Sequence, residues 1–592
     1  MVWAGCCCHE SGDGHFEVVE AGFPALSATA TDQPHDPSVK EHCPNLLQAM
    51  LEQEGLTSGF VEGWLDLHAL VSGGERGMIP ESTIEPVDGL PEMSSLPPGD
   101  SSLLARTAVL KLNGGVCRSL GADIATGLLE VRKDQTFLDL IAQRVLETPD
   151  MRFLLMNSYL TESDTYEFFK RYPELLAQWS RVALRQNRAP KINTKTMMPE
   201  HQQWSVPGHG DLFETLHASG TLDTLLEEGY QYMLVSNCDN LGATLDARLL
   251  GHLDRTGAPM LMEVCVREEG DLFGGHLARL KGSREIVLRE RVQCSPADLS
   301  DFQNTSKHKY FNTNNLWFNI QKLKAALIQN GGRLPLPLMV RETLFNESQN
   351  NGSVFHIETS AGSALTVLKG SSVVVVPKSR FGAVKSCAQL LLLRSDAYEV
   401  DDLVPVLAPG VTKLPVINLD DHYKTVDDLD AAFPRGVPSL KECTMLTISG
   451  RVEFAEGSVC MGEVAIVNSN PRVRPQACGR LQGRMDLTQS VSALEVKEWV
   501  VIVNKVATGN SLGMDVRKDT KNTLWLVTRV TGGLIGQWNQ ENPTKRVKKG
   551  DLLIRVNEVS GSATRMIEET QRAGKLEILV RRPDVCLSSV SE

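Results

Sequence analysis

A short apolar run, Ala108-Val-Leu-Lys-Leu112, ends in Asn113-Gly114-Gly115. The run reads as a buried strand, and the paired glycines leave its carboxyl end bare of side chains. Backbone amides there can approach a phosphate or a base edge, because no Cβ stands in the way. A chain organised around such a tip favours an α/β sheet that takes its ligand at the carboxyl ends of its strands. For Gly-Gly alone a tight turn is the plain alternative, so the reading depends on four further segments downstream.

The 592 residues are too many for one core, and about two to four domains are expected. A net charge of −13 argues against nucleic acid as a partner, which would need a basic face. A small anionic substrate stays compatible with that sign, because a few local cations outweigh it. No apolar run approaches the roughly 18–20 residues of a membrane span, so none is expected. The 13 cysteines are scattered singly apart from Cys6-Cys7-Cys8, which reads as reduced thiols in a cytoplasmic protein. The triplet has no partner pair at zinc spacing and is taken as part of a reactive tail rather than a metal or lipid site. No secretory signal pattern follows Met1.

Organisation follows from composition and periodicity. Residues 1–43, rich in Gly, Ser, Asp, His and Pro, are expected to be disordered. A helical pattern begins near Pro44, with Leu46, Leu47, Met50, Leu51 and Leu56 in register. It opens a domain expected over 44–430, in which residues 78–100, rich in Pro, Glu and Ser, read as an extended crossing segment and short apolar strands alternate with amphipathic helices from 106 to about 400. Phe153–Met156, Tyr232–Val235, Met260–Met262 and Val373–Val376 suit strands buried on both faces of a mixed, mostly parallel sheet. Over 431–470, Leu440, Leu446, Val452, Val459 and Val464 recur at close to six-residue steps, the pattern of a short left-handed β-helix; a β-meander is the alternative. A polar linker is expected over 471–493, then a small β unit over 494–583 with one helix near 564–573, and a tail over 584–592.

Pro207-Gly208-His209-Gly210-Asp211, Ser236-Asn237-Cys238-Asp239-Asn240-Leu-Gly-Ala243, Phe311-Asn-Thr-Asn314-Asn-Leu-Trp317 and Arg380-Phe-Gly-Ala-Val-Lys385 stand in that order. With Leu112-Asn-Gly-Gly115 they make the chain resemble the UTP–glucose-1-phosphate uridylyltransferase family, over roughly residues 44–468. The resemblance implies a Rossmann-like nucleotidyltransferase core. It also implies a reaction in which the phosphate of glucose 1-phosphate attacks the α-phosphorus of UTP, giving UDP-glucose and pyrophosphate with magnesium. Such chemistry needs alignment and charge neutralisation more than a protein nucleophile.

The same resemblance assigns roles to residues. Leu112, Asn113, Gly114 and Gly115 would lie against the nucleotide, and Gln186 would read uracil, since an amide donates and accepts at once. Gly208 and His209 would sit at the substrate. Asn237, Cys238 and Asp239 would line the nucleotide site, with Asp239 as the metal ligand. Asn314 would contact the sugar, with Glu263 and Glu358 as lesser candidates. Lys385 would face the phosphates as a compact positive charge. Taken singly, each has an ordinary alternative: a solvated loop Gln, a turn glycine, an Asx turn at Asp239, a surface lysine.

The first motif departs from the family pattern. Cys117 stands where glycine is expected, and Thr126 where a phosphate-binding lysine is expected. Arg118 is a new cation in the same loop. Two other functions therefore stay open at this point: a non-catalytic UTP- or UDP-sugar-binding regulator, and a uridylyltransferase for another sugar 1-phosphate. The C-terminal unit resembles a PDZ domain. Ser511-Leu512-Gly513-Met514 stands in the place of its carboxylate-binding loop, and Gly532–Trp538 and Gly550–Asn557 read as later strands. That resemblance implies a partner protein's C-terminal peptide bound by β-augmentation.

Overall fold

The computed structural model describes residues 7–10, 16–19, 47–148, 150–268, 271–272, 274–344, 352–401, 404–471, 474–488, 496–505, 511–518, 522–543, 545–572 and 574–583. They fall into two compact units, Met1–Leu414 with Tyr423–Leu429, and Pro415–His422 with Asp430–Glu592. Of the tail expected over 1–43, the strands Cys7–Glu10 and Phe16–Val19 pair antiparallel; the rest of it and the 584–592 tail lie outside the described residues.

Seven strands carry the first unit: β1 (Thr107–Leu112), β2 (Phe153–Asn157), β3 (Ala183–Arg185), β4 (Tyr232–Asn237), β5 (Met260–Val266), β6 (Tyr310–Asn319) and β7 (Ser372–Val375). Their spatial order is β3-β2-β1-β4-β6-β5-β7. Among these seven, β6 runs antiparallel to its neighbours β4 and β5, and the other contacts are parallel. Ile84–Glu85, His276–Leu280 and Ile286–Arg289 join the same sheet antiparallel, so the sheet is mixed and contains a parallel half, but it is not mostly parallel as the continuous apolar runs predict. Alternation along β4 serves both faces. Met233 and Val235 enter one core with Leu212, Phe213, Phe318 and Leu323. Tyr232 and Leu234 enter the other with Leu249, Leu253, Leu261 and Trp317. Each fully buried apolar side chain of this size stabilises by roughly 1.5–3 kcal/mol, which is why slippage by one residue is excluded.

The chain leaves β1 toward β2 and β3, then returns to β4 on the other side of β1. Between the carboxyl ends of β1 and β4 the sheet order reverses, and that crevice is where an open α/β sheet holds its ligand.

A second sheet, of Met339–Leu344, Ser353–Glu358, Ala189–Asn193 and Pro199–Ser205, is antiparallel. One face packs Ile192, Val340, Phe355 and Ile357 against Phe60, Val61 and Trp64 of the helix Ser58–Ser72. The helical pattern expected from Pro44 appears as a helix over 47–53, burying Leu47 and Leu51 in the same cluster.

In the second unit Val416–Leu419, Ser439–Ser449, Val459–Val467 and Arg480–Asp486 stack in parallel. Leu446 lies beside Val464 and Val464 beside Gly483, so one coil takes roughly three of the six-residue sides read from the sequence. The boundaries differ from expectation. The stack begins at Val416, and part of the stretch taken for a linker over 471–493 is ordered strand, since Gln476–Ala477 and Arg480–Asp486 join it. Along the last strand only Leu481 is buried, so the sequence there reads as polar although the backbone is paired.

The C-terminal strands run Val496–Lys505, Gly574–Pro583, Leu552–Val556, Trp525–Val530 and Met514–Lys518 across one sheet. The helix expected near 564–573 is Ala563–Thr570. Gly533–Glu541 is a second helix where Gly532–Trp538 was expected to form one of the later strands. Two positive-φ glycines, Gly532 and Gly533, turn the chain there, and Ile535 then anchors the helix in the core. Among the described residues no helix is long and apolar enough to cross a membrane.

Candidate active site

The tips of β1 and β4 meet in register. Asn237 lies opposite Leu112, and the Cys238 N–H donates to the Leu112 carbonyl at 3.0 Å. Asn113 is fully buried and its amide is spent on the protein. It donates to Asn157 Oδ1 at 2.9 Å and Thr165 Oγ1 at 3.0 Å, and accepts from the Gly127 N–H at 3.1 Å and from Cys238 Sγ at 3.3 Å. Its side chain therefore knots the two tips together rather than facing a ligand. Gly114 lies under Gln186: a Cβ on Gly114 would fall 2.5 Å from Gln186 Nε2, so any larger residue there would push the Gln186 amide aside. Gln186 is held by its own N–H on Asn157 O at 2.9 Å, and its amide is brought onto the glycine tip.

The altered loop closes on itself. Thr126 donates to the Gly115 carbonyl from both its N–H at 3.0 Å and its hydroxyl at 3.1 Å. Cys117 replaces a glycine without strain, since its φ is −77°. Burial pushes its thiol up, eased by a hydrogen bond with Thr126; the Asp239 charge adds to the rise and Lys385 opposes it. Arg118 points away onto Asp123, 3.2 Å, in an exposed pair.

Asp239 and Lys385 come together at the crevice. Lys385 Nζ lies 2.7 Å from Asp239 Oδ2, with the carboxylate 2% and the lysine 40% exposed. Burial pulls the Lys385 pKa down, but the Asp239 carboxylate outweighs it and holds the ammonium above its ordinary range. The loops that carry this pair are fixed by a buried network. Arg380 grips Glu263 through Nε to Oε2 and Nη2 to Oε1, each at 2.7 Å. Glu263 also accepts from Trp317 Nε1 at 2.8 Å and Asn315 Nδ2 at 3.1 Å. Asn240 donates to Asn315 Oδ1 at 2.9 Å and accepts from the Gly382 N–H at 3.1 Å. Glu263 is 0% exposed, with both oxygens occupied, so it serves as a brace and not as a hydroxyl contact. Glu358 is likewise paired, with Arg341 at 2.6 Å.

His209 enters from the turn at Gly208. A Cβ there would meet Thr359 O at 2.3 Å, and φ is +81°, so the turn requires glycine. His209 Nδ1 accepts from the Ala361 N–H at 3.0 Å, which places the proton on Nε2, a buried donor with no partner. Burial, then Lys385, lower its pKa to about 4, so the ring is neutral at pH 7. Asp211 ties this turn to the Gln186 loop through the Asn187 N–H at 2.7 Å and Asn187 Nδ2 at 3.0 Å.

Asn314 holds a left-handed backbone, φ 59°, within an otherwise regular strand. Its Nδ2 donates to Asn237 Oδ1 at 2.9 Å, while its own Oδ1 is buried without a partner. An orphaned acceptor beside the strand tips suits an incoming hydroxyl. Behind it stand Asn312, whose Oδ1 accepts the Asn314 N–H at 2.9 Å, and Glu290, whose buried carboxyl is pushed up to about 7 and bonds Asn312.

Sequence reasoning missed Glu290, Asp211 and Lys111. Lys111 is buried, with Nζ on Ser236 Oγ at 2.9 Å and Asn240 O at 3.2 Å, pinning the Asp239 loop to β1. Burial, then Arg144, lower its pKa to about 7. A lysine inside an apolar run was the one available signal. Leu512, Gly513 and Met514 belong to the C-terminal unit. Leu512 and Met514 pack on its core, and Gly513 is required by the approach of Gly532 O, 1.8 Å from where a Cβ would stand. Met514–Lys518 is an edge strand, paired on one side.

The arrangement has known relatives. Residues 74–460 match the family model described as UTP–glucose-1-phosphate uridylyltransferase. The Saccharomyces cerevisiae protein of that name is 35% identical over 395 residues, covering 64% of this chain and 77% of the yeast one. The Hordeum vulgare protein of the same name is 33% identical, covering 68% and 88%. A crystal structure of UDP-glucose pyrophosphorylase from Leishmania major in complex with UDP-glucose superimposes with a TM-score of 0.71 at 38% identity, over 75% of this chain and 99% of that one. By its matched length and its architecture, the chain belongs to the UTP–glucose-1-phosphate uridylyltransferase family.

Proposed function

We propose that this chain transfers uridylyl from UTP to glucose 1-phosphate, forming UDP-glucose and pyrophosphate. The observation that carries the reading is the meeting of Asp239, Lys385, Gln186 and the Gly114 tip around one crevice. Gln186 reads the uracil edge against Gly114, where the missing Cβ lets base and backbone approach. Lys385 leaves its 2.7 Å contact with Asp239 to meet the phosphate oxygens where negative charge develops. His209 donates from Nε2 to the same region, and being neutral it adds a hydrogen bond without a proton to lose. Asn314 Oδ1 accepts a sugar hydroxyl.

Magnesium fits the donor set. Among the described residues no group of three His, Cys, Asp or Glu could cage a metal, and magnesium commonly takes one or two carboxylates with the rest from phosphates and water. Asp239 would be that carboxylate. Once bound, the ion would neutralise charge on the phosphate oxygens.

Thr126, with its hydroxyl on Gly115, supplies no cation, so turnover is expected to be lower than with a lysine there. The parallel stack is read as a short left-handed β-helix. The C-terminal sheet is read as a PDZ-like unit whose edge strand Met514–Lys518 takes an extended peptide C-terminus. The reaction is tested by product analysis with a panel of sugar 1-phosphates. UDP-glucose is expected; product only from another sugar, or from none, overturns the reading.

A further inference from the structure

Three residues, Gln186-Asn187-Arg188, join the strands Ala183–Arg185 and Ala189–Asn193. The two that follow Gln186 are gripped from one direction, by the turn between the first two helices of the unit. The helix over 47–53 ends at Gly55, whose φ of 73° is left-handed. The Gly55 N–H donates to Glu52 O at 3.0 Å and the Leu56 N–H reaches back to Leu51 O at 3.4 Å, which reverses the chain sharply. Thr57 then caps the helix Ser58–Ser72, accepting the Phe60 N–H at 3.3 Å.

Both ends of this turn reach the loop. Glu54 pairs with Arg188, whose guanidinium also lies over the Trp204 ring at 4.5 Å. The Thr57 hydroxyl donates to Glu214 Oε1, and Glu214 Oε2 accepts from Asn187 Nδ2 at 2.8 Å. Asn187 turns its other donors to Asp211, Nδ2 to Oδ1 at 3.0 Å and the backbone N–H to Oδ2 at 2.7 Å. Glu214 and Asp211 are both buried. Every N–H of Asn187 thus ends on a buried carboxylate, and hydrogen bonds of that kind are the strong ones. Ala189, next in the chain, packs with Leu47, Leu51 and Phe60 in one cluster. The Gln186 loop cannot shift against the N-terminal helices without breaking these contacts together.

We propose that Thr57 is a positioning residue for Gln186: through Glu214 and Asn187 it holds the Gln186 amide over the Gly114 tip, so that affinity for the uridine end of the nucleotide depends on the docked N-terminal turn. The inference rests on the uridylyltransferase reading and deepens it. Glu214 is the link, because one of its oxygens answers to Thr57 and the other to Asn187. An amide that donates and accepts at one base edge serves in a single orientation. Loosening the loop that carries it therefore costs nucleotide affinity before it costs chemistry. The Lys385–Asp239 pair stands on other loops, so the phosphate end is set separately.

Calorimetric titration of the full chain with UMP and UTP tests it, comparing wild type, Thr57→Asp and Thr57→Ser, each with and without Gln186→Ala. Aspartate is a good helix cap, so Thr57→Asp keeps the helix start while it removes the donor and sets a second carboxylate against Glu214. Thr57 is exposed, which lets the chain fold around the change. Thr57→Asp is expected to weaken UMP and UTP alike by about 10-fold, the order of one charged hydrogen bond. Thr57→Ser keeps both bonds and is expected to stay within about twofold of wild type. With Gln186→Ala in place, Thr57→Asp is expected to add less than about twofold, because no amide is left to position. Unchanged UMP affinity in Thr57→Asp, an equal loss in Thr57→Ser, or the same loss with and without Gln186 overturns the inference and leaves the uridylyltransferase reading standing. Failure of the wild-type chain to bind UMP and UTP at all overturns both.

Discussion

Lys385 Nζ sits 2.7 Å from Asp239 Oδ2, an ion pair between the two residues that the reaction needs as separate charges. Without nucleotide, each protects the other from the cost of a buried, unpaired charge. In the reaction proposed above, the phosphates would take the ammonium and free Asp239 for a cation. Lys385→Met is therefore expected to lower turnover by ~10²–10³, the usual loss for one transition-state stabiliser. Pyrophosphate release under saturating substrates measures it; an unchanged rate contradicts the role.

Thr126→Lys is expected to raise turnover. The hydroxyl it removes donates to the Gly115 carbonyl, which the Thr126 N–H already satisfies, and bonds the Cys117 thiol; the ammonium it adds stands in the loop that follows the Gly114 tip. Steady-state assay of the variant gives the answer. A rate equal to or below wild type contradicts it.

Asn314→Gly separates backbone from side chain. Glycine accepts the φ of 59° without strain, so the strand survives while the amide is lost. The expected result is a KM for glucose 1-phosphate raised about 10-fold, with UTP affinity unchanged. An effect on UTP alone would move Asn314 out of the sugar site.

Glu263→Gln leaves the Arg380 guanidinium buried without its counter-charge, which typically costs ~3–5 kcal/mol. Chemical denaturation should show a destabilisation of that order, with activity falling in parallel as the Asn240 and Lys385 loops loosen. A loss below about 1 kcal/mol would mean that water reaches this pair.

His209 carries the pH prediction. Its folded pKa, near 4, lies below the ordinary value of 6.5, so its contribution to stability is present above pH 6.5 and is lost as pH falls through 4. Its ring should titrate below pH 5 by NMR, and His209→Gln should flatten the stability profile between about pH 6.5 and 4. A midpoint near 6.5 contradicts the buried, neutral imidazole.

The apolar runs made the sheet legible, because strands buried on both faces leave continuous Val, Leu and Met. The strand-tip motifs were legible too, since Gly208 stands where the Thr359 backbone excludes a Cβ and Gly114 where the Gln186 side chain lies close. What escaped was the roles of polar groups whose partners are distant in sequence. Asn113 and Glu263 carry ligand-type side chains, yet each is saturated by protein groups, and only the fold supplies those groups. Lys111 and Glu290 gain their perturbed character from burial, which no local pattern encodes. The strand Arg480–Asp486 reads as linker because one residue in it faces inward.

The measurement that bears most directly on the account is a coupled assay of UTP, glucose 1-phosphate and magnesium with the wild-type chain and Lys385→Met side by side. The account predicts stoichiometric UDP-glucose and pyrophosphate from the wild type and a collapse of both in the variant. Absence of UDP-glucose from the wild type, or equal rates in the two proteins, would contradict it.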